Sequence, residues 1–218
     1  MFSINRKDLQ CIVTKHGDRF IISPDIHSST SVFWRYDFSD IRSEDRIIDL
    51  GANIGGFAIA ASHGVWCHPV LAVEPIRYGT LLENIEINNA FVTPMRAGIS
   101  DKPEAITLEW RDGRDTVECS PLSTIIENNG GCDFLKCDIE GAEWKIRPEE
   151  LDGIRRIEMQ IHLDLCREKW QHPLIRYLLK NYNVYTTPNS PTDRVPVAPH
   201  PPRPDPNRPQ LHCFRVTA

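Results

Sequence analysis

The sequence predicts an α/β chain with a mostly parallel central sheet and helices on both faces. Three observations predict it. Ile47 and Ile48 form a short apolar run ended by Asp49, and glycines follow at 51, 55 and 56. The alanine-rich stretch Phe57–Ala61 comes next, so a buried strand gives way to a tight turn and a helix start. A second apolar run, Val70-Leu-Ala-Val, is ended by Glu74, and a third, Phe134-Leu-Lys-Cys, by Asp138. Strands that end in acids and glycine turns put ligand-facing groups along one rim of an open sheet, as in Rossmann-like folds.

The chain has 218 residues, enough for one domain with a sizeable core, and 40% of them are hydrophobic. Its formal net charge of −5 argues against bulk nucleic-acid binding. No apolar run approaches the ~18–20 residues of a membrane span. The start, Met1-Phe-Ser-Ile-Asn-Arg-Lys, carries no apolar signal core. Seven scattered cysteines without zinc-type spacing read as reduced, buried thiols, and the location expected is cytoplasmic.

Leu9–Thr14 and Arg19–Ile22 read as a hairpin around Lys15-His-Gly-Asp. Ser28–Asp40, with Phe33, Trp34, Tyr36 and Phe38 interleaved, reads as a helix or lid beside the cleft, or as plain surface packing. Residues 1–40 are thus an N-terminal hairpin and lid-like segment of a single domain. The glycine turn looks like a cofactor cradle, because glycine permits positive φ and close approach and a helix start presents free N–H groups. Its Gly51-x-x-x-Gly55-Gly56 spacing is not the dinucleotide pattern, and no P-loop Gly-Lys-Ser/Thr follows. His63, Cys67 and His68 lie close together without a fourth ligand, and no metal is assigned to them.

Glu74, at the end of the second strand, suits a ribose, since one carboxylate can accept from two adjacent hydroxyls. A helix is expected over 77–89. Solvent exposure and C-capping account for its Asn84 and Asn88. Thr93–Ser100 reads as the third strand, with Ala97 and Gly98 small enough for an adenine ring to lie on the backbone. Ala105–Trp110 and Thr116–Cys119 alternate as a hairpin. On the strand Ile154–Leu163, Ile157, Met159 and Ile161 share one face, and Glu158, Gln160 and His162 the other. Trp170–Lys180 is an amphipathic helix. Asn183–Thr187 and Leu211–Val216 read as the last two strands, giving the sheet an antiparallel C-terminal strand. Between them Pro188–Pro209 is proline-dense and extended, either a flexible insertion or a flap.

The stretch Asp49-Leu-Gly-Ala-Asn-Ile-Gly resembles motif I of class I methyltransferases that use S-adenosylmethionine. That ligand carries positive sulfonium and amino groups, so nearby acids suit it. Further motifs follow in order: Val73-Glu74-Pro75, Asn84-Ile-Glu-Ile-Asn88, Ala97-Gly-Ile-Ser100-Asp101 and Phe134-Leu-Lys-Cys-Asp138-Ile-Glu140-Gly-Ala-Glu143. With these, residues 45–163 resemble the FkbM-type methyltransferase family. The resemblance implies a class I methyltransferase fold and methyl transfer from S-adenosylmethionine to a hydroxyl of a sugar or related small molecule; sugar hydroxyl, small lipid-like alcohol and nucleotide ribose all stand open as the acceptor. It also implies that Asp49, Gly51, Asn53, Glu74 and Asp138 line the cofactor, with Gly55 of the turn and Ala97 beside them. Glu140, Glu143 and His162 face the acceptor.

The sequence departs from the family at Gln160-Ile-His162, where Glu-x-His is frequent, and in the proline segment near its end. His162 is the candidate general base, its ordinary pKa of ~6.5 suiting the task. Glu140 competes for that role, or instead holds the acceptor or a metal. Two other readings stand behind this one: an inactive S-adenosylmethionine-binding module, and a nicotinamide oxidoreductase, which the interval of about 20 residues from glycine turn to Glu74 would also fit.

Overall fold

The computed structural model describes residues 10–13, 17–22, 36–110, 113–162, 165–167, 171–186, 195–196 and 210–217. β1 (Gln10–Val13) and β2 (Arg19–Ile22) pair antiparallel, as the hairpin pattern predicts. β3 (Ile47–Leu50) leads through the glycine turn into α1 (Gly56–Ser62). β4 (Val70–Val73), α2 (Tyr78–Asn88) and β5 (Val92–Met95) follow. β6 (Gly98–Ile99), β7 (Glu104–Trp110) and β8 (Gly113–Ser120) form a separate small sheet, and α3 (Leu122–Asn128) returns the chain to β9 (Phe134–Cys137). Then come β10 (Arg156–His162), α4 (Pro173–Asn181), β11 (Asn183–Thr186), β12 (Val195–Pro196) and β13 (Gln210–Thr217).

The central sheet runs β12-β11-β13-β10-β9-β3-β4-β5. All its pairings are parallel except β11 with β12. Parallel sheets are covered on both faces, and every residue of β3, β4, β9 and β10 is buried. On one face Ile48, Leu50, Leu135, Ile157 and Met159 pack with Leu122 and Ile125 of α3 and Leu174 and Leu178 of α4. On the other, Ile47, Ala72 and Phe134 pack with Phe57 and Ala61 of α1, with Leu81 of α2 and with Tyr36. This is the expected fold class.

Four details differ from the sequence reading. The C-terminal strand is not antiparallel: β13 inserts parallel between β10 and β11, and short β12 carries the antiparallel pairing. A parallel return needs a crossover of a dozen or more residues, which the connection 187–209 is long enough to supply; within the proline segment only β12 is described, and the rest lies outside the described residues. The third strand divides after Met95. β5, with Pro94, forms the edge of the central sheet, where a missing donor is tolerated. Gly98 instead pairs with Cys119, so close that an added Cβ would sit 2.5 Å from the Cys119 sulfur.

The third difference is Asn84, which is fully buried, its amide donating to Ile54 O at 2.8 Å and tying α2 to the glycine turn. Asn88 likewise exchanges hydrogen bonds with the Arg19 backbone in β2. Last, α4 starts at Pro173, after the His172 side chain caps the Leu174 N–H, and Trp170 falls outside the described residues. So do Phe33 and Trp34 of the lid-like segment.

Candidate active site

β3, β4 and β9 end side by side, so their terminal acids and turns meet at one rim of the sheet. Gly51 takes a φ of +72°, and a Cβ there would lie 1.9 Å from the Asp138 carbonyl oxygen, so only glycine fits. The N–H groups of Gly51 and Ala52 donate to Val73 O at 2.9 and 3.0 Å, and Asp138 N–H donates to Leu50 O at 3.1 Å. The three strand ends are thereby fastened together.

Beneath the turn lies a cation that the sequence reading gave no role. Lys136 stands in register with Asp49 on the neighbouring strand. Its Nζ pairs with Asp49 Oδ1 at 2.9 Å and donates to Leu50 O at 3.1 Å and Gly51 O at 2.7 Å. Burial would lower its pKa, but the Asp49 and Asp138 carboxylates outweigh that and hold it above the ordinary lysine value. The signal in the sequence is a lysine inside a strand buried on both faces, since a buried charge requires a partner.

Glu74, only 6% exposed, joins the two loops above the rim. Its Oε2 accepts from Asn53 N–H at 2.8 Å, and its Oε1 from the N–H groups of Ile76 and Arg77 at 2.7 and 2.8 Å. A carboxylate offers about four lone-pair sites, so room for one further donor remains. Asn53 itself adopts a φ of +54°. Its Oδ1 and the Asp138 Oδ1 are buried with no hydrogen-bond partner among the described residues. Asp138 Oδ2 accepts from Tyr36 OH at 3.1 Å.

Across the rim stands His162, the last residue of β10. Glu143, 0% exposed, accepts from His162 N–H at 2.8 Å and sits 2.9 Å from Nδ1 through the same oxygen; its other oxygen accepts from Gly141 N–H at 2.8 Å. Trp144 Nε1 donates to His162 O at 3.1 Å. The short 3-10 turn Ala142–Lys145 thus grips both the backbone and the ring of His162. With Nδ1 donating to the Glu143 carboxylate, the Nε2 lone pair is turned away from Glu143 and accepts from the Gln160 amide. Nε2 lies 2.9 Å from Gln160 Nε2 and 3.3 Å from Glu140 Oε2.

A cavity of about 930 Å³ opens above the rim. Gly51, Asn53, Glu74, Ala97, Asp138 and Glu140 line it. Three residues expected at the ligand stand elsewhere. Asp49 is fully buried under the turn and is matched to Lys136, because its strand position points it into the sheet layer. Gly55 starts α1 and packs against Leu81 and Ile59. Glu143 does not face the acceptor: the turn folds it inward behind His162. His162 is itself buried and meets the cavity only through Glu140. Ile99, Ile106 and Leu108 of the small sheet supply an apolar wall that the sequence reading did not anticipate.

Residues 49–184 match the family model described as the methyltransferase FkbM domain. No curated protein matches the chain. Among solved structures, it is similar to the crystal structure of methyltransferase FkbM from Methylobacillus flagellatus KT. That match has 17% identity and a TM-score of 0.49, over 69% of this chain and 41% of the other. It is also similar to P. horikoshii TYW2 in complex with MeSAdo, at 12% identity and a TM-score of 0.37, over 63% of this chain and 46% of that one. The chain therefore spans less than half the length of these two relatives.

Proposed function

The chain belongs to the FkbM methyltransferase family, and from that premise we propose that it transfers a methyl group from S-adenosylmethionine to a hydroxyl of a small molecule such as a sugar or nucleoside. The cofactor of the family is S-adenosylmethionine. The residues present fit it. Asn53 Oδ1 and Asp138 Oδ1 offer unpartnered acceptors at the cavity, and Glu74 keeps a free lone pair. When bound, the cofactor supplies an electrophilic sulfonium methyl: the O–C bond forms as the S–C bond breaks, leaving a neutral thioether.

The remaining work falls to the protein. Glu74 and Asn53 hold the donor at the ends of β3 and β4. Asp138 orients it from β9, itself steadied by Tyr36. Methyl transfer is an in-line displacement, so alignment of the acceptor oxygen contributes most. That oxygen must lose its proton as the bond forms, and we assign its activation to His162, with Glu140 beside it. The single observation that carries this reading is the Glu143–His162 pair, which turns an imidazole lone pair towards the carboxylate rim of the cofactor cavity. Glu143 is the positioning residue.

The test is a labelled-methyl transfer screen with sugar, nucleoside and lipid-like alcohol acceptors. The expected product is a methyl ether together with S-adenosylhomocysteine. Label appearing on nitrogen or carbon would remove the hydroxyl assignment. Tight NAD binding with no S-adenosylhomocysteine binding would instead support an oxidoreductase.

A further inference from the structure

The site carries more negative charge and more idle oxygen than methyl transfer alone requires. Asp138, Glu140 and His162 each present one ligand atom, and these atoms all lie within 4.8 Å of one another. An octahedral ion with bonds of about 2.0–2.1 Å spans ligand atoms up to about 4.2 Å apart, so the exposed Glu140 side chain moves inward to close the set on it. We propose that Asp138, Glu140 and His162 form a divalent-cation site of the magnesium and manganese class at the rim of the cofactor cavity, where it holds the acceptor. The sequence assigns no metal and leaves Glu140 as a competing base, an acceptor contact or a metal ligand.

Two independent features support it. The first is Gln160, 5% exposed and on the same strand face as His162. Its amide N–H donates to His162 Nε2 at 2.9 Å, a bond that an ion on Nε2 displaces, while its Oε1 is buried with no partner among the described residues, as is Asp138 Oδ1. Buried oxygens of this kind ordinarily find a donor. Water molecules held by a cation are strong donors and would serve both. The second feature is Glu143 on the far side of the ring. A metal-binding histidine almost always gives its other ring N–H to a carboxylate or carbonyl, which fixes the tautomer and aims the free nitrogen. Glu143 does so with Nδ1 at 2.9 Å. Lys136, the nearby buried cation, is already engaged by Asp49 and the glycine turn. Glu140 is 83% exposed and free to swing onto the ion.

Two carboxylates and one imidazole suit hard or borderline ions of octahedral habit and leave positions open. Resting on the methyl-transfer reading, this narrows the acceptor to molecules with two adjacent oxygens, such as a vicinal diol or a hydroxyl beside a carbonyl. One oxygen of such an acceptor loses its proton more readily on the cation. With the ion in place His162 acts on the hydroxyl as a ligand, the proton leaves to water on the ion's open positions, and the base role given to His162 above belongs to the ion-free site.

The test is titration of chelator-treated, full-length protein with MnCl₂, following the loss of the free-ion electron paramagnetic resonance signal. Saturation at one ion per chain is expected. His162→Ala and Glu140→Gln should each weaken binding at least tenfold. Glu140 is exposed, so its variant keeps a readout should the His162 variant fail to fold. Glu118→Gln, an exposed acid on β8, should bind as the parent does. Absence of Mn²⁺ binding, or equal binding by Glu140→Gln, overturns the site. Calorimetric binding of S-adenosylhomocysteine to the same metal-free protein reports separately on the methyltransferase reading, which stands or falls without the ion.

Discussion

Lys136 and Asp49 pair at 2.9 Å across two central parallel strands, both side chains almost wholly withdrawn from solvent. The pair forms the floor of the glycine turn, since the same ammonium group caps the carbonyls of Leu50 and Gly51. Lys136→Met would leave the Asp49 carboxylate buried and uncompensated. Chemical denaturation should show a loss of about 3–5 kcal/mol. Adding Asp49→Leu to that variant should restore a large part of it. If the single variant is as stable as the parent, the pair is not the prop described here.

Glu74 holds three backbone N–H groups, so its removal acts on the cradle as well as on any bond to ribose. Glu74→Ala should weaken S-adenosylhomocysteine binding by about 1.5–3 kcal/mol, the range for hydrogen bonds to a charged group. Glu74→Gln keeps two acceptor lone pairs and should lose less. Calorimetry on both variants decides it, and an unchanged dissociation constant for the alanine variant ends the assignment.

Turnover should depend on His162 far more than cofactor affinity does. His162→Ala is expected to slow methyl transfer by roughly 10²–10⁴-fold while leaving the S-adenosylhomocysteine dissociation constant unchanged. Glu143→Gln disturbs the ring orientation together with the bonds from the Gly141 and His162 backbones, and should cost about 10–100-fold in turnover. A folded, cofactor-binding His162 variant with parental turnover would move the activating role to Glu140.

Away from the site, Glu150 links the turn after Arg147 to the start of α3. Burial alone would raise its pKa. Hydrogen bonds from Ser123 and Arg147, backbone and side chain, outweigh burial and hold it below the ordinary glutamate value. A carboxyl held lower in the folded state stabilises the protein above its unfolded pKa, near 4.5. That contribution fades as pH falls through the folded value. Glu150→Gln should therefore cost about 1–3 kcal/mol near neutral pH, and its melting temperature should converge on the parent's as the solution is acidified from 4.5 downward through the lowered folded-state value. A gap that stays constant with pH would contradict the charge-based account.

Much of this fold is legible because buried parallel strands are short apolar runs, and acids at their ends stand out. Asp49, Glu74 and Asp138 mark three neighbouring strand ends, and the alternation around His162 gives the two faces of β10. What spacing does not carry is depth. Glu140 and Glu143 lie three residues apart in one acidic motif, yet one is exposed and the other fully enclosed, because a 3-10 turn intervenes. Asn84 reads as a surface residue of an amphipathic helix, since periodicity says nothing of which loop will fold over that helix. The direction of β13 depends on how a long connection is routed, and proline density limits its local conformation without fixing its path.

The contact between Gly51 and the Asp138 carbonyl has a mechanical meaning. The backbone that cradles the donor and the backbone that presents the Asp138 carboxylate touch without an intervening side chain. They have no slack between them, and thermal breathing must carry both together. A loop transplanted from another scaffold would bring its own offset from β9 and throw donor and acceptor out of alignment even if every side chain were copied. Heat should accordingly abolish cofactor binding and turnover in one step, since loosening either strand end dissolves the spacing on which both rely.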